Sequence, residues 1–153
     1  MKKKLSSFIT IVLLILFAAR LWTMNSQTNS YIGKRLDTAF NVEAPNVIMF
    51  WNVDCGPCKV ELGRLKDAVN DGEIKETQVT AIHIGQSEIQ KYNQYIKNEA
   101  FPFQVIIDPD VYETYFQIKG TPTTLFIDKK RFVTDALVGI SPTLIWKIKG
   151  HYD

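Results

Sequence analysis

The chain of 153 residues has little cysteine and little histidine, with 2 of each. Two cysteines cannot build a disulfide-rich scaffold or a zinc site with four cysteine ligands. Glycine and proline are also scarce, with 8 and 6, whereas 9 Phe, 6 Tyr and 3 Trp supply aromatic residues for a core. This composition excludes a collagen-like or disordered chain, and the length suits one domain.

Acidic residues are absent from the first 24 positions, which hold four of the 18 basic residues. From Asn25 onward there are 14 basic and 16 acidic residues, a formal charge of −2. The folded part is therefore not basic, and its charge does not support nucleic-acid binding.

Residues 1–24 are predicted to be a signal-anchor helix. Lys2, Lys3 and Lys4 precede an apolar run from Phe8 to Ala19, the pattern of a secretory signal. With its flanking residues the run reaches the roughly 20 residues that span a bilayer. Arg20 disrupts the small-x-small cleavage pattern, so an anchor is favoured over a cleaved signal, although cleavage stays open.

The orientation of this helix follows from its charges. The positive-inside rule keeps the three lysines in the cytoplasm. We therefore expect a single-pass cell-membrane protein, with residues 25–45 as a polar tether and lead-in and residues 46–153 as an extracytoplasmic domain.

The remaining chain alternates predicted strands and helices, which indicates an α/β domain. The dense apolar run Asn46–Val53 is typical of a central strand covered on both faces. A helix from about Pro57 follows, with Cys58, Leu62 and Leu65 on one stripe. The full predicted order is β-α-β-α-β-α-β-β-α, with the later strands at 78–84, 103–107, 123–128 and 132–138.

Both cysteines lie in one motif, Cys55-Gly56-Pro57-Cys58, where the first strand turns into the helix. Free N–H groups at a helix start favour a thiolate at Cys55, and Cys58 on the apolar stripe is the resolving thiol. A structural disulfide closing so short a loop would add little stability. Metal binding with His83 or His151 lacks a recognisable spacing.

From Asn46 to Gly139 the chain resembles the thioredoxin superfamily, and more closely the membrane-tethered TlpA/ResA-like thiol-disulfide oxidoreductases. The matching segments are Phe50-Trp51 before the motif, Glu61 after it, Ile84–Glu88, Phe101–Phe103, Ile107–Asp110, Gly120–Thr124 and Phe126–Asp128. The resemblance implies a thioredoxin-like fold, with a central mixed sheet flanked by helices. It also implies a cis Thr121–Pro122 peptide, and substrate contacts by Thr121, Pro122 and Trp51. The redox-active disulfide would be the only redox group, with no metal or other cofactor.

Three positions depart from the family pattern. Asp54 stands where many relatives have Trp, and its carboxylate would disfavour the Cys55 thiolate or serve as a cap or solvated charge. Met49 replaces a buried Asp or Asn, so the usual proton relay is missing; Glu61 would take its place or be a surface residue. Gly63 replaces a proline.

The sequence thus predicts an extracytoplasmic, monomeric dithiol-disulfide reductase. Its partners would be disulfides of protein substrates, with an apocytochrome c as one target, and a membrane thiol electron donor. Two alternatives stay open: a peroxiredoxin-like thiol peroxidase, and a non-catalytic docking domain for a thiol partner. His83 is expected to be a packed residue and Lys129–Arg131 a solvated hairpin tip.

Overall fold

The computed structural model describes residues 2–37, 40, 42–44, 46–108 and 110–152, without the side chains of residues 2–8, 21, 24, 25 and 152. The order of strands and helices is the predicted one after an N-terminal helix. The strands are β1 (Asn46–Trp51), β2 (Val79–His83), β3 (Gln104–Ile107), β4 (Thr123–Ile127) and β5 (Val133–Val138). The helices are α1 (Lys2–Asn29), α2 (Gly56–Asn70), α3 (Ile89–Glu99), α4 (Val111–Phe116) and α5 (Leu144–Tyr152), with a 3₁₀ turn at Glu76–Gln78.

The strands form one mixed sheet in the order β3-β2-β1-β4-β5. β1, β2 and β3 run parallel, whereas β4 is antiparallel to both β1 and β5. Helical crossovers between the parallel strands are long enough to reverse the chain, and the short connection after β4 makes a hairpin. This arrangement confirms the predicted thioredoxin-like fold with a central mixed sheet flanked by helices.

β1 is buried along its whole length because both faces of the sheet are covered. Val47, Met49 and Trp51 face a core formed with α2, α3 and α5. Ile48 and Phe50 face a second core, shared with α4. The alternation follows from the two-residue period of a strand and explains why β1 is apolar throughout.

The second core extends into the segment predicted as tether and lead-in. Tyr31, Leu36, Phe40 and Val42 are all buried there. The backbone of this segment also pairs with the start of β5, since Leu36 N–H donates to the Arg131 carbonyl and Val133 N–H to that of Lys34. The folded unit therefore begins before Asn46. The helical backbone of α1 enters the predicted tether and ends at Asn29.

The apolar residues of α1 between Ile9 and Phe17 are exposed in the structure. Among the described residues, no helix combines the length and apolar character needed to cross a bilayer. The anchor predicted for residues 1–24 therefore finds no support in the described part of α1, and the side chains of Lys2, Lys3 and Lys4 lie outside it.

Arg131 corrects the prediction of a solvated hairpin tip. Its guanidinium donates hydrogen bonds of 2.7–3.2 Å to the carbonyl oxygens of Leu36, Asp37, Phe40 and Val42. One side chain thus holds the lead-in segment against the β4–β5 hairpin.

Replacing Arg131 with Lys should lower the free energy of unfolding by about 1–3 kcal/mol, because Lys keeps the charge but cannot reach several carbonyls with a planar fork. Urea denaturation of the folded chain measures this change. The adjacent exposed Lys130→Gln should stay within about 0.5 kcal/mol of the parent. Equal effects of the two substitutions would refute the assigned role of Arg131.

Candidate active site

The cysteine motif lies where β1 ends and α2 begins. Cys55 N–H donates to the Asn52 carbonyl at 3.0 Å, which closes the turn after the strand. The Cys55 sulfur caps α2 by accepting the Cys58 N–H at 3.2 Å, and a proline occupies the first turn. Proline has no N–H to leave unsatisfied at that position.

The two cysteines form a disulfide and differ in exposure. Cys55 is partly exposed, whereas Cys58 is fully buried between β1 and α2. In the dithiol form, the N–H that faces the Cys55 sulfur and the helix dipole would stabilise its thiolate. This is the arrangement of an attacking thiol at the surface and a resolving thiol beneath it.

A second loop, just before β4, faces the disulfide. The Thr121–Pro122 peptide is cis, as the resemblance implies, and the Thr121 carbonyl oxygen lies 3.6 Å from the Cys55 sulfur. Pro122 is buried and its carbonyl accepts the Gly139 N–H at 2.8 Å. Thr121 is partly exposed. Its carbonyl therefore lies beside the sulfur of the partly exposed cysteine.

An open cavity of about 290 Å³ continues from Thr121 away from the cysteines. Its lining residues are Asn52, Ile84, Gly85, Glu113, Ile118, Lys119, Gly120 and Thr121. A cavity of similar size, about 270 Å³, lies at the opposite end of β1 around Asn46 and carries none of the predicted site residues.

Glu61 is a buried residue and not a surface glutamate. Its carboxylate accepts the Ser141 N–H at 2.5 Å and an Arg64 N–H at 3.0 Å. Arg64 also donates to the carbonyls of Ser141 and Pro142. Glu61 therefore ties α2 to the loop after β5, the same loop whose Gly139 contacts Pro122.

Asp54, next to Cys55, is half exposed and forms an ion pair with Lys91 of α3. The Lys91 ammonium, with a smaller contribution from the Ser87 hydroxyl, holds the pKa of Asp54 below its usual range. The carboxylate is therefore ionised at neutral pH and faces α3.

Trp51 requires a correction, because it is fully buried and does not line the surface around the disulfide. Its ring packs against those of His83, Tyr92 and Tyr95, at centroid distances of 5.0–5.9 Å. Trp51 supports the motif from below instead of contacting a substrate. Met49 is likewise fully buried in the core.

His83 is a packed residue, as predicted, and lies between the rings of Trp51 and Tyr92. Its Nε2 is buried without a hydrogen-bond partner among the described residues. Burial lowers the pKa of His83, and the negative charge of Asp54 opposes this only in part. The imidazole is therefore neutral at pH 7. Among the residues that the structure describes, no three His, Cys, Asp or Glu side chains cluster as metal ligands would.

The polar contacts around Asp54 cannot be predicted from the sequence around it. The Ser87 hydroxyl hydrogen-bonds to Asn52 and Asp54, while Glu88 precedes α3 without a side-chain cap. The Asp54–Lys91 pair spans 37 positions of sequence, so no local pattern announces it.

The sequence pattern of the AhpC/TSA family matches residues 13–136 of the chain. This match covers most of the sequence, and the chain belongs to that family. No curated protein matches the chain in sequence.

Solved structures show the same fold. StoA from Bacillus subtilis has a TM-score of 0.63 and 17% identity, covering 80% of this chain and 96% of its own. A secreted disulfide oxidoreductase of Mycobacterium tuberculosis, homologous to Escherichia coli DsbE, has a TM-score of 0.55 and 16% identity, covering 80% and 93%. A candidate thioredoxin from Neisseria meningitidis has a TM-score of 0.61 and 26% identity, covering 70% and 73%.

The burial of His83 predicts a pH-dependent stability. Its pKa in the fold is lowered from 6.5, so below about pH 6.5 the unfolded chain binds a proton that the folded chain does not. Stability should fall as the pH drops from 7.5 to 5.5. In His83→Phe, which keeps a ring against Trp51 and Tyr92, the fall measured by urea denaturation should be smaller. An identical fall in both proteins would show that His83 does not contribute.

Proposed function

We propose that this member of the AhpC/TSA family is a thiol-disulfide oxidoreductase that exchanges its Cys55–Cys58 pair with disulfides of protein substrates. The observation that carries the proposal is the pair itself. A partly exposed sulfur caps α2 and lies 3.6 Å from the Thr121 carbonyl, with the second sulfur buried behind it. The thioredoxin-like fold and the thiol-disulfide proteins among its structural neighbours support it.

The exchange follows from this geometry. In the dithiol form, the Cys55 thiolate attacks one sulfur of a substrate disulfide and releases the other as a thiolate. The Cys58 thiol then loses its proton to solvent and attacks Cys55 in the mixed disulfide. This step forms the Cys55–Cys58 disulfide and releases the second substrate sulfur as a thiolate, which takes up a proton. Two electrons pass to the substrate, and Cys55 and Cys58 are oxidised.

Substrate binding would use the backbone of Thr121 beside the disulfide. An extended segment can pair with such an exposed backbone as an added strand. Two exposed apolar side chains come from segments that adjoin the site: Val60, two residues after Cys58 on α2, and Ile140, next to the Gly139–Pro122 hydrogen bond. Their exposure suits contact with a protein surface better than contact with a small polar molecule.

The direction we propose is reduction. The residues between the cysteines, Gly-Pro, are those of the thioredoxin motif, and thioredoxin is a reductant. A reductase of this kind needs an electron donor, which we propose to be a membrane thiol carrier. The oxidised haem-attachment cysteines of an apocytochrome c would be one substrate.

The location we propose is the outer side of the cell membrane, with α1 as a single-pass anchor. The support is the sequence of residues 1–24: three lysines, an apolar run and no acidic residue.

A peroxidase of the peroxiredoxin type would need an arginine beside the attacking thiolate. Arg64 is held by Glu61 and two carbonyls, and Arg131 by four carbonyls. Arg35 lies over the Phe132 ring. None of these contacts of Arg35, Arg64 and Arg131 involves Cys55, which favours disulfide exchange over peroxide reduction.

Cys58→Ala should trap substrates as mixed disulfides through Cys55, because the resolving thiol is gone. The full-length protein is expressed in cells, and thiol exchange is stopped with acid. Membrane and soluble fractions are then separated, and their adducts are resolved on non-reducing gels. Adducts should be confined to the membrane fraction and absent from the Cys55→Ala/Cys58→Ala control. If Cys58→Ala forms no adducts, the exchange function is contradicted. Adducts in the soluble fraction would contradict only the anchor.

The reduction potential of the Cys55–Cys58 pair should lie near that of thioredoxin, about −270 mV, if the protein works as a reductase. Equilibration with glutathione or dithiothreitol buffers, followed by thiol counting, gives this value. A potential near that of DsbA, about −120 mV, would reverse the proposed direction and leave the exchange chemistry in place.

A further inference from the structure

A polar cluster joins the loop before the cysteines to the start of α3. The Asn52 side chain donates to the Ile84 carbonyl at 2.8 Å and accepts the Asp54 N–H at 2.8 Å. The Ser87 hydroxyl lies 3.2 Å from Asn52 Oδ1 and 3.3 Å from Asp54 Oδ2. Lys91 completes the cluster with its ion pair to Asp54.

The cluster controls where the charge of Asp54 lies. Asp54 precedes the attacking cysteine directly, and a carboxylate near that sulfur makes a thiolate less favourable. Its two oxygens are occupied by Lys91 and Ser87, both on the α3 side. The negative charge is thereby turned toward a cation at the position where it would otherwise oppose ionisation of Cys55.

Two other ionisable side chains near this loop, Lys59 and His83, are placed differently from Lys91. Lys59 of α2 adds a weaker attraction to Asp54, and its ammonium lies 5.0 Å from the centroid of the Tyr95 ring. His83, below the loop, is neutral because it is buried. In the described part of the chain, Lys91 is therefore the cation paired with the carboxylate next to Cys55.

We propose that Lys91 is a positioning residue for the attacking thiolate: it neutralises Asp54 and holds that carboxylate away from the Cys55 sulfur. The proposal rests on the exchange function of Cys55. Lys91 acts on the same site from a different helix, 36 positions away from Cys55 in sequence. The departure from the family pattern at Asp54 is thus compensated within the chain.

The expected effects of two substitutions have opposite signs. In Lys91→Gln the carboxylate loses its cation and is free to turn toward Cys55, so the pKa of the Cys55 thiol should rise by about half a unit. In Asp54→Asn the negative charge disappears, the contact with Ser87 can persist, and the pKa of Cys55 should fall. Lys97→Gln, on the same helix, is the matched control and should leave the pKa unchanged.

The double variant separates positioning from simple charge. A fixed charge on Lys91 would change the pKa of Cys55 by the same amount with or without Asp54. If Lys91 acts by holding Asp54, its replacement should have at most half as large an effect in the Asp54→Asn background.

The pKa of Cys55 is measured from the rate at which iodoacetamide alkylates the reduced protein across a pH series. Buried Cys58 reacts more slowly, and Cys58→Ala variants confirm which sulfur is observed. At pH values below the pKa of Cys55 in both the parent and the variant, Lys91→Gln should react about threefold more slowly than the parent. Added salt at 1 M should reduce this difference, because both partners are about half exposed.

An unchanged pKa in Lys91→Gln would overturn the proposal. So would shifts of the same sign in Lys91→Gln and Asp54→Asn, since a merely structural clamp would be broken by either. Alkylation needs no protein substrate, so it tests Lys91 separately from the exchange function. A normal shift with no trapped substrate would count against the function, and trapped substrate without a shift against the role of Lys91.

Discussion

The first peptide N–H groups of α2 have no acceptors within the helix, and the cysteine motif is arranged around their need for them. The Cys55 sulfur accepts one of these groups, that of Cys58. Asn52 serves the residues just before the helix, with its backbone carbonyl accepting from Cys55 and its side chain from Asp54. A sulfur that caps a helix already lies in the field that favours its ionised form. Local folding and reactivity therefore depend on the same contact.

The position of this helix start is fixed by the two cores. β1 is buried on both faces and ends at Trp51, whose ring supports the motif from below. Farther along α2, Glu61 and Arg64 bind the loop that follows β5. That loop contacts the carbonyl of Pro122 through Gly139. The cysteines and the Thr121–Pro122 loop, which come from distant parts of the sequence, are thus tied to one helix.

The order of strands and helices could be predicted because each one carries its own periodicity. β1 has an unbroken apolar run, and α2 carries Cys58, Leu62 and Leu65 on one stripe. The burial of Cys58 followed from that stripe in the same way. What could not be predicted depends on pairs far apart in sequence. Arg131 looks like part of a basic hairpin tip until the lead-in segment packs beside it. The resemblance gave Trp51 a substrate contact and left Glu61 open as a surface residue, whereas α3 covers Trp51 and the loop after β5 covers Glu61.

Exposed ion pairs contribute little to folding, so the Asp54–Lys91 pair would be unremarkable elsewhere on this surface. Next to an attacking thiol the same small energy has a different consequence. The free-energy difference between thiol and thiolate determines how much of Cys55 is reactive, and it responds directly to a nearby charge. A carboxylate that is turned toward a cation leaves this difference nearly as it would be without the carboxylate. The pair can therefore matter for the chemistry of the motif while adding almost nothing to the stability of the fold.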